Sequence, residues 1–155
     1  MLIKQFINRT IKLSKKSIRH SVNEYDCGSS GKLIESLLVP KKYRHTKNVS
    51  DMPKLELKTK NEDTSSNNLN LTKYTDFKNA FMRTYNKIKD NLALVYYFKN
   101  DNNIHLTRMF VFKKLDFSLY ARYLQINTRK NELKHNMTFI NLKKCYDSYE
   151  LIELK

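Results

Sequence analysis

The sequence predicts an α+β fold: a small single domain of helix, β-hairpin, helix and a further short strand, preceded by a basic, largely extended N-terminal region. Three observations carry this expectation. An aromatic stripe at helical spacing occupies residues 74–88. Two apolar, β-branched runs joined by an Asn/Asp-rich turn follow it. The chain has 155 residues and is 40% hydrophobic and 12% aromatic, which suffices for one core.

The elements follow in order. Residues 1–23 contain no acid. Ile3, Phe6, Ile7, Ile11 and Ile18 fall on one side of a helical wheel, and Lys4, Arg9, Lys12, Lys15, Lys16 and Arg19 lie mostly opposite. Ser14, Ser17 and Ser21 add hydroxyls. A basic, hydroxylated, amphipathic helix without acids has the pattern of a mitochondrial targeting peptide. It lacks the continuous apolar run of a secretory signal. Arg19-His20-Ser21 suits processing two residues after an arginine. An ordinary basic helix on a surface or on RNA is the other reading of the same residues.

Residues 24–71 read as a basic extension and polar linker. Both glycines lie in Cys27-Gly28-Ser29-Ser30-Gly31, a turn. Lys32–Val39 forms a short helix or extended piece that Pro40 ends. Lys41, Lys42, Arg44 and Lys47 surround Tyr43. Leu55–Lys58 alternates like a short edge strand, and residues 61–71 (NEDTSSNNLNL) are polar and low in complexity.

The compact α+β domain is expected over residues 72–155. Thr72 or Thr75 caps a helix through Tyr74, Phe77, Phe81, Tyr85 and Ile88. Leu92–Phe98 and Ile104–Lys113 form the hairpin around an Asn/Asp turn. Ile104, Leu106, Arg108, Phe110 and Phe112 share a face of the second strand. Asp116 or Ser118 opens a second helix through Leu124. Thr128–Asn136 reads as a basic loop, Met137–Leu142 as a third strand, and Cys145–Leu154 as a strand or a short helix, with Leu151–Leu154 leaning to strand.

The search for catalytic chemistry excludes more than it finds. The four histidines are not at metal-ligand spacing from one another or from Cys27 and Cys145. Two lone cysteines make no disulfide framework and fit free thiols in a reducing compartment. Gly28-Ser29-Ser30-Gly31-Lys32 is too short between its glycines for a phosphate loop, and Leu33 stands where a Ser or Thr is needed. No nucleophile elbow and no zinc-protease motif occurs. No paired acids with opposed roles emerge, since the carboxylates fall at predicted helix starts, turns or the tail. Neither an enzyme nor a cofactor nor a small-molecule substrate is expected. No apolar run reaches the ~18–20 residues of a membrane span.

Charge is what remains. The chain holds 30 Lys+Arg against 15 Asp+Glu, a formal net charge of +15. Residues 1–60 hold 14 bases and 5 acids, residues 61–90 hold 5 and 4, and residues 91–155 hold 11 and 6. A/T-rich codons account for abundant Lys, Asn, Ile and Tyr, but less well for twice as many bases as acids. A polyanionic partner is the physical alternative. The bases interleaved with aromatics are Lys41, Lys42, Tyr43, Arg44 and Lys47, then Arg108, Lys113 and Lys114, then Arg129, Lys130 and Lys134, and then Lys143 and Lys144. Lysine and arginine neutralise phosphates, and aromatic rings stack on unpaired bases.

Together these features predict a non-catalytic structural component of a mitochondrial ribonucleoprotein in the matrix. A ribosomal subunit protein touching ribosomal RNA and neighbouring proteins fits best. A small accessory or assembly factor peripheral to the mitochondrial inner membrane is the alternative, its bases facing anionic lipid. A minor enzyme or regulatory subunit whose site a partner completes is a third reading.

Overall fold

A computed structural model describes residues 2–20, 29–43, 50–64 and 66–154. In chain order the elements are α1 (Leu2–Ser14), β1 (Ile18–Arg19), α2 (Ser29–Leu38), a 3₁₀ turn (Lys41–Tyr43), β2 (Glu56–Asn61), β3 (Asn68–Tyr74) and α3 (Ala80–Ile88). There follow β4 (Asn91–Asn100), β5 (Asn103–Leu115), α4 (Phe117–Tyr123), β6 (Gln125–Arg129), β7 (Glu132–Thr138), α5 (Phe139–Cys145) and β8 (Tyr146–Glu153). The described residues thus form a mixed α+β fold of one small domain. No helix among them is long and apolar enough to cross a membrane.

The β4–β5 hairpin is the centre. In the main sheet the strand order is β1-β5-β4-β2, and β8 also pairs with β5. β4 takes one edge of β5, so β1 and β8 share the other. β2 runs parallel to β4, and the other pairs are antiparallel. A second sheet has the order β3-β7-β6. Leu57, Ala93, Val95, Leu106, Met109 and Val111 pack towards Phe6 of α1 and Ile34 and Leu38 of α2. Leu92, Leu94, Phe110 and Phe112 pack on the opposite face with Ile88, Tyr120, Leu142, Leu69, Leu71 and Met137. Burial on both faces explains why β4 reads as an unbroken apolar run rather than an alternating one.

The regular alternation expected for β5 breaks at one residue. Tyr96 pairs with Arg108 but Tyr97 pairs with Leu106, so Thr107 is an extra residue in a bulge. The bulge reverses the phase of the strand. Ile104 and Leu106 face the α1/α2 core, whereas Phe110 and Phe112 face the other. Arg108 therefore does not share a face with Ile104 and Leu106.

Of the stretch expected to be largely extended, the described residues form two helices and several strands. α2 comes so close to β2 that a Cβ on Gly31 would lie 2.5 Å from Thr59 Oγ1. The residues read as a linker are partly sheet, because β2 runs to Asn61 and β3 starts at Asn68. In β3 the polar Asn68 and Asn70 face out while Leu69 and Leu71 are buried.

Three further differences lie in the C-terminal half. The first helix starts at Ala80, not near Thr75, since Thr72 and Tyr74 belong to β3. Thr128–Asn136 is not a loop but most of a hairpin, turned at Lys130 in the left-handed region (φ 55°). The run from Met137 is strand only to Thr138, whose hydroxyl accepts the N–H of Asn141 and caps α5. The second helix is capped by Asp116, whose Oδ1 accepts the Leu119 N–H at 2.9 Å, and β8 takes in residues 151–153, which lean to strand, but begins earlier at Tyr146.

Candidate nucleic-acid interface

In the second sheet β3 and β7 have one buried face and one open face, and β6 is exposed on both. Leu69, His135 and Met137 point inwards. The register places Asn70 beside Asn136, Lys73 beside Lys134, Asn127 beside Lys134, and Arg129 beside Glu132. The outer face thus gathers Lys73, Lys134 and Arg129 with the amides of Asn68, Asn70, Gln125, Asn127 and Asn136. Lys130 adds a fourth cation at the hairpin tip. Glu132 is the one acid in this set and pairs with Lys73 at 3.1 Å. Both ends of that pair are well exposed, so it holds the lysine weakly. Asn136 Oδ1 is buried and without a hydrogen-bond donor.

A second basic surface lies where β5, α4, α5 and β8 meet. Lys114, Phe117 and Lys144 line a shallow groove of about 530 Å³. Phe117 is 44% exposed. Asp116, used by the helix cap, and Asp147 are its acids. Lys113 is exposed one residue before Lys114. Lys144 Nζ and the Arg122 guanidinium lie 5.8 and 5.5 Å from the Tyr123 ring centroid. Lys143 instead sits over Phe139 and Tyr149, at 4.8 and 5.4 Å.

The remaining candidates stand apart. Lys41 and Lys42 are exposed on the 3₁₀ turn, with Lys42 Nζ 5.0 Å from the Tyr43 centroid. Tyr43 packs its ring against the α1/α2 core. Arg44 and Lys47 lie outside the described residues. Arg108 is already engaged within the chain. Its Nε donates to Glu62 Oε1 at 2.9 Å and a second nitrogen donates to Oε2 at 3.3 Å. Its guanidinium lies 4.2 Å from the Tyr96 ring centroid. A two-toothed pair over an aromatic ring holds this arginine in the protein rather than offering it to a phosphate. Lys73 and the Asn/Gln row escaped sequence reasoning. The alternation of Asn68-Leu69-Asn70-Leu71 was the signal that could have revealed them.

Two buried polar groups resemble machinery and behave as structure. Thr84 Oγ1 lies 2.6 Å from His135 Nδ1, 2.7 Å from Thr72 Oγ1 and 3.2 Å from Tyr74 Oη. A hydroxyl donates once and accepts twice, so these three partners satisfy it. Thr84 and His135 are 0% and 1% exposed, so no substrate reaches this hydroxyl–imidazole pair. Burial lowers the His135 pKa. Cys145 is likewise sealed, its thiol pushed up to about 11 mainly by burial, which makes it a poor nucleophile. Among the described residues no group of three or more His, Cys, Asp or Glu is disposed to hold a metal ion.

The carboxylates of Glu35 and Glu56 flank Asp51. Glu56 Oε1 accepts the Asp51 N–H, and Asp51 Oδ2 accepts the Leu57 N–H, both at 2.9 Å. Burial first, opposed by Lys58 and reinforced by Asp51, pushes Glu56 up to about 8. Burial and then Asp51 push Glu35 up to about 7. The folded state therefore binds protons that the unfolded chain releases above its ordinary value of 4.5. This contribution to stability is full below pH 4.5 and is lost as pH rises towards 8. His135 acts in the other direction, eroding stability as pH falls below its ordinary 6.5. Glu56→Gln keeps a neutral side chain at every pH. Its melting temperature should decline less than that of the unmodified chain between pH 6 and 8, and exceed it at pH 8. Parallel melting curves across that window would contradict the assignment.

A scan of the chain against models of protein families finds no match, and a search of curated proteins finds no significant relative.

Proposed function

We propose that the chain is a non-catalytic structural component of a mitochondrial ribonucleoprotein, a ribosomal subunit protein that contacts ribosomal RNA through basic residues. The observation that carries this reading is the outer face of the β3-β7-β6 sheet. Three cations and a row of amides share one surface with a single acid, and Lys130 adds a fourth cation at the hairpin tip. Cations there neutralise phosphates and release counterions. Side-chain amides both donate and accept, which suits 2′-hydroxyls and the edges of unpaired bases. Aromatic rings are absent from this face, so recognition rests on charge and shape, with the exposed Phe117 in the groove available for stacking. The acid-free amphipathic α1 supports the mitochondrial matrix as the location.

The test is a titration of full-length protein against a structured RNA with single-stranded loops, monitored by fluorescence anisotropy at several salt concentrations. Engagement of Lys73, Arg129, Lys130 and Lys134 alone makes the slope of log affinity against log salt about −3. Vesicles rich in anionic lipid serve as the competing ligand. The peripheral-membrane reading has its own support in the exposed Lys4, Lys12, Lys15 and Lys16 of the N-terminal region. It predicts the reverse order of affinities, with sedimentation alongside membranes that ribonuclease does not disturb.

A further inference from the structure

We propose that the free edge of β8 is a docking edge for a basic, extended segment of a partner protein, which adds a strand to the main sheet. β8 pairs with β5 on one side and, among the described residues, with no strand on the other. Residues 147–151 and Glu153 are exposed, with Tyr149 at 45% and Leu151 at 44%. Long edge strands are ordinarily blunted by lysine, proline, shortness or a covering element. β8 has eight residues and holds neither lysine nor proline. At the opposite edge of the sheet, β2 carries Lys58 and Lys60, and Asp51 takes the Leu57 N–H.

Charge selects the occupant. Asp147, Glu150 and Glu153 put three of the 15 acids of the chain on this one strand. None of the three is in an ion pair among the described residues. RNA is repelled by such an edge. A second copy pairing β8 with β8 brings two acidic rows together, which is unfavourable across strands. A strand bearing lysine or arginine is attracted. The pleat sets its pattern: Asp147, Tyr149, Leu151 and Glu153 alternate on one face, with Ser148, Glu150 and Ile152 on the other. The complementary strand places base, apolar, apolar, base on the first face and a base at the centre of the second. Main-chain hydrogen bonds supply affinity and these side chains supply selectivity.

A labelled peptide with that pattern, acetyl-Lys-Thr-Val-Lys-Val-Thr-Lys-amide, is the probe for the full chain. Saturable, salt-sensitive binding is expected, together with slower amide hydrogen exchange in residues 146–153 and unchanged exchange in β6. The same peptide with Glu in place of Lys should not bind. Asp147→Lys, Glu150→Lys and Glu153→Lys together should weaken binding at least about tenfold. Should that triple variant not fold, the exchange map and the Glu peptide on the unmodified chain decide. Equal binding of both peptides, protection elsewhere, or a β8-mediated dimer in sedimentation equilibrium would overturn the proposal. None of these outcomes depends on whether the chain binds RNA.

Discussion

Phe6→Ala should lower the free energy of unfolding by about 3–5 kcal/mol, the range for truncating a large aromatic in a packed core. Phe6 is 3% exposed on α1 and packs with Ile34, Leu38 and the inner face of the main sheet. Leu2, Ile3, Ile7 and Leu13 pack around it, and Arg9 donates to Leu38 O at 3.0 Å. The same amphipathic face that makes residues 1–23 read as a targeting peptide therefore fills a core. Lys12, exposed on the opposite side, is the control, and Lys12→Ala should change stability by less than about 0.5 kcal/mol. Denaturant unfolding of the two variants separates the roles. An unchanged midpoint for Phe6→Ala would make α1 an address label alone. A loss of the expected size means that processing after Arg19 would remove α1 and β1 from a packed interior. The N-terminus of the protein recovered from mitochondria would then start before residue 19.

Thr84→Val is the second large effect. The substitution keeps volume but leaves Thr72, Tyr74 and His135 Nδ1 without their shared partner in the interior. A buried group left unsatisfied costs about 1–3 kcal/mol, and the coupled losses here should total roughly 3 kcal/mol. Thr84→Ser retains the hydroxyl and should cost about 1 kcal/mol, the worth of one buried methyl group. Chemical denaturation of both variants checks the difference. Equal losses for Val and Ser would mean that packing, not the hydroxyl network, holds α3 to the second sheet.

What the sequence made legible was local. Asp116 announced its helix by the capping chemistry of a short acid, and Asp101 in the left-handed region turned the hairpin where the Asn/Asp cluster stood (φ 54°). Pro40 marked the end of α2. What escaped was set by tertiary contacts. The Thr107 bulge is invisible because β5 carries apolar residues in both phases, and only burial on two faces separates Met109 and Val111 from Phe110 and Phe112. β6 is exposed throughout, so no alternation betrays it. The polar half of β3 reads as linker because Asn68 and Asn70 face out, and the pairing with β7 that makes it a strand is a contact between residues far apart in sequence. The candidate interface followed the same rule. Arg129, Lys130 and Lys134 are near neighbours in sequence and remain so on one hairpin. Lys73 joins them only through strand pairing, and Arg108 is withdrawn by Glu62, 46 positions away.

The most direct test of an RNA-binding sheet face is the salt dependence of RNA affinity for the unmodified chain and for a variant carrying Lys73→Gln, Arg129→Gln, Lys130→Gln and Lys134→Gln. All four residues are surface-placed, so the fold should persist. Loss of four phosphate contacts should flatten the slope by about 3 and weaken binding by at least about tenfold at low salt. An identical slope and affinity in the variant would contradict the assignment of this face to RNA.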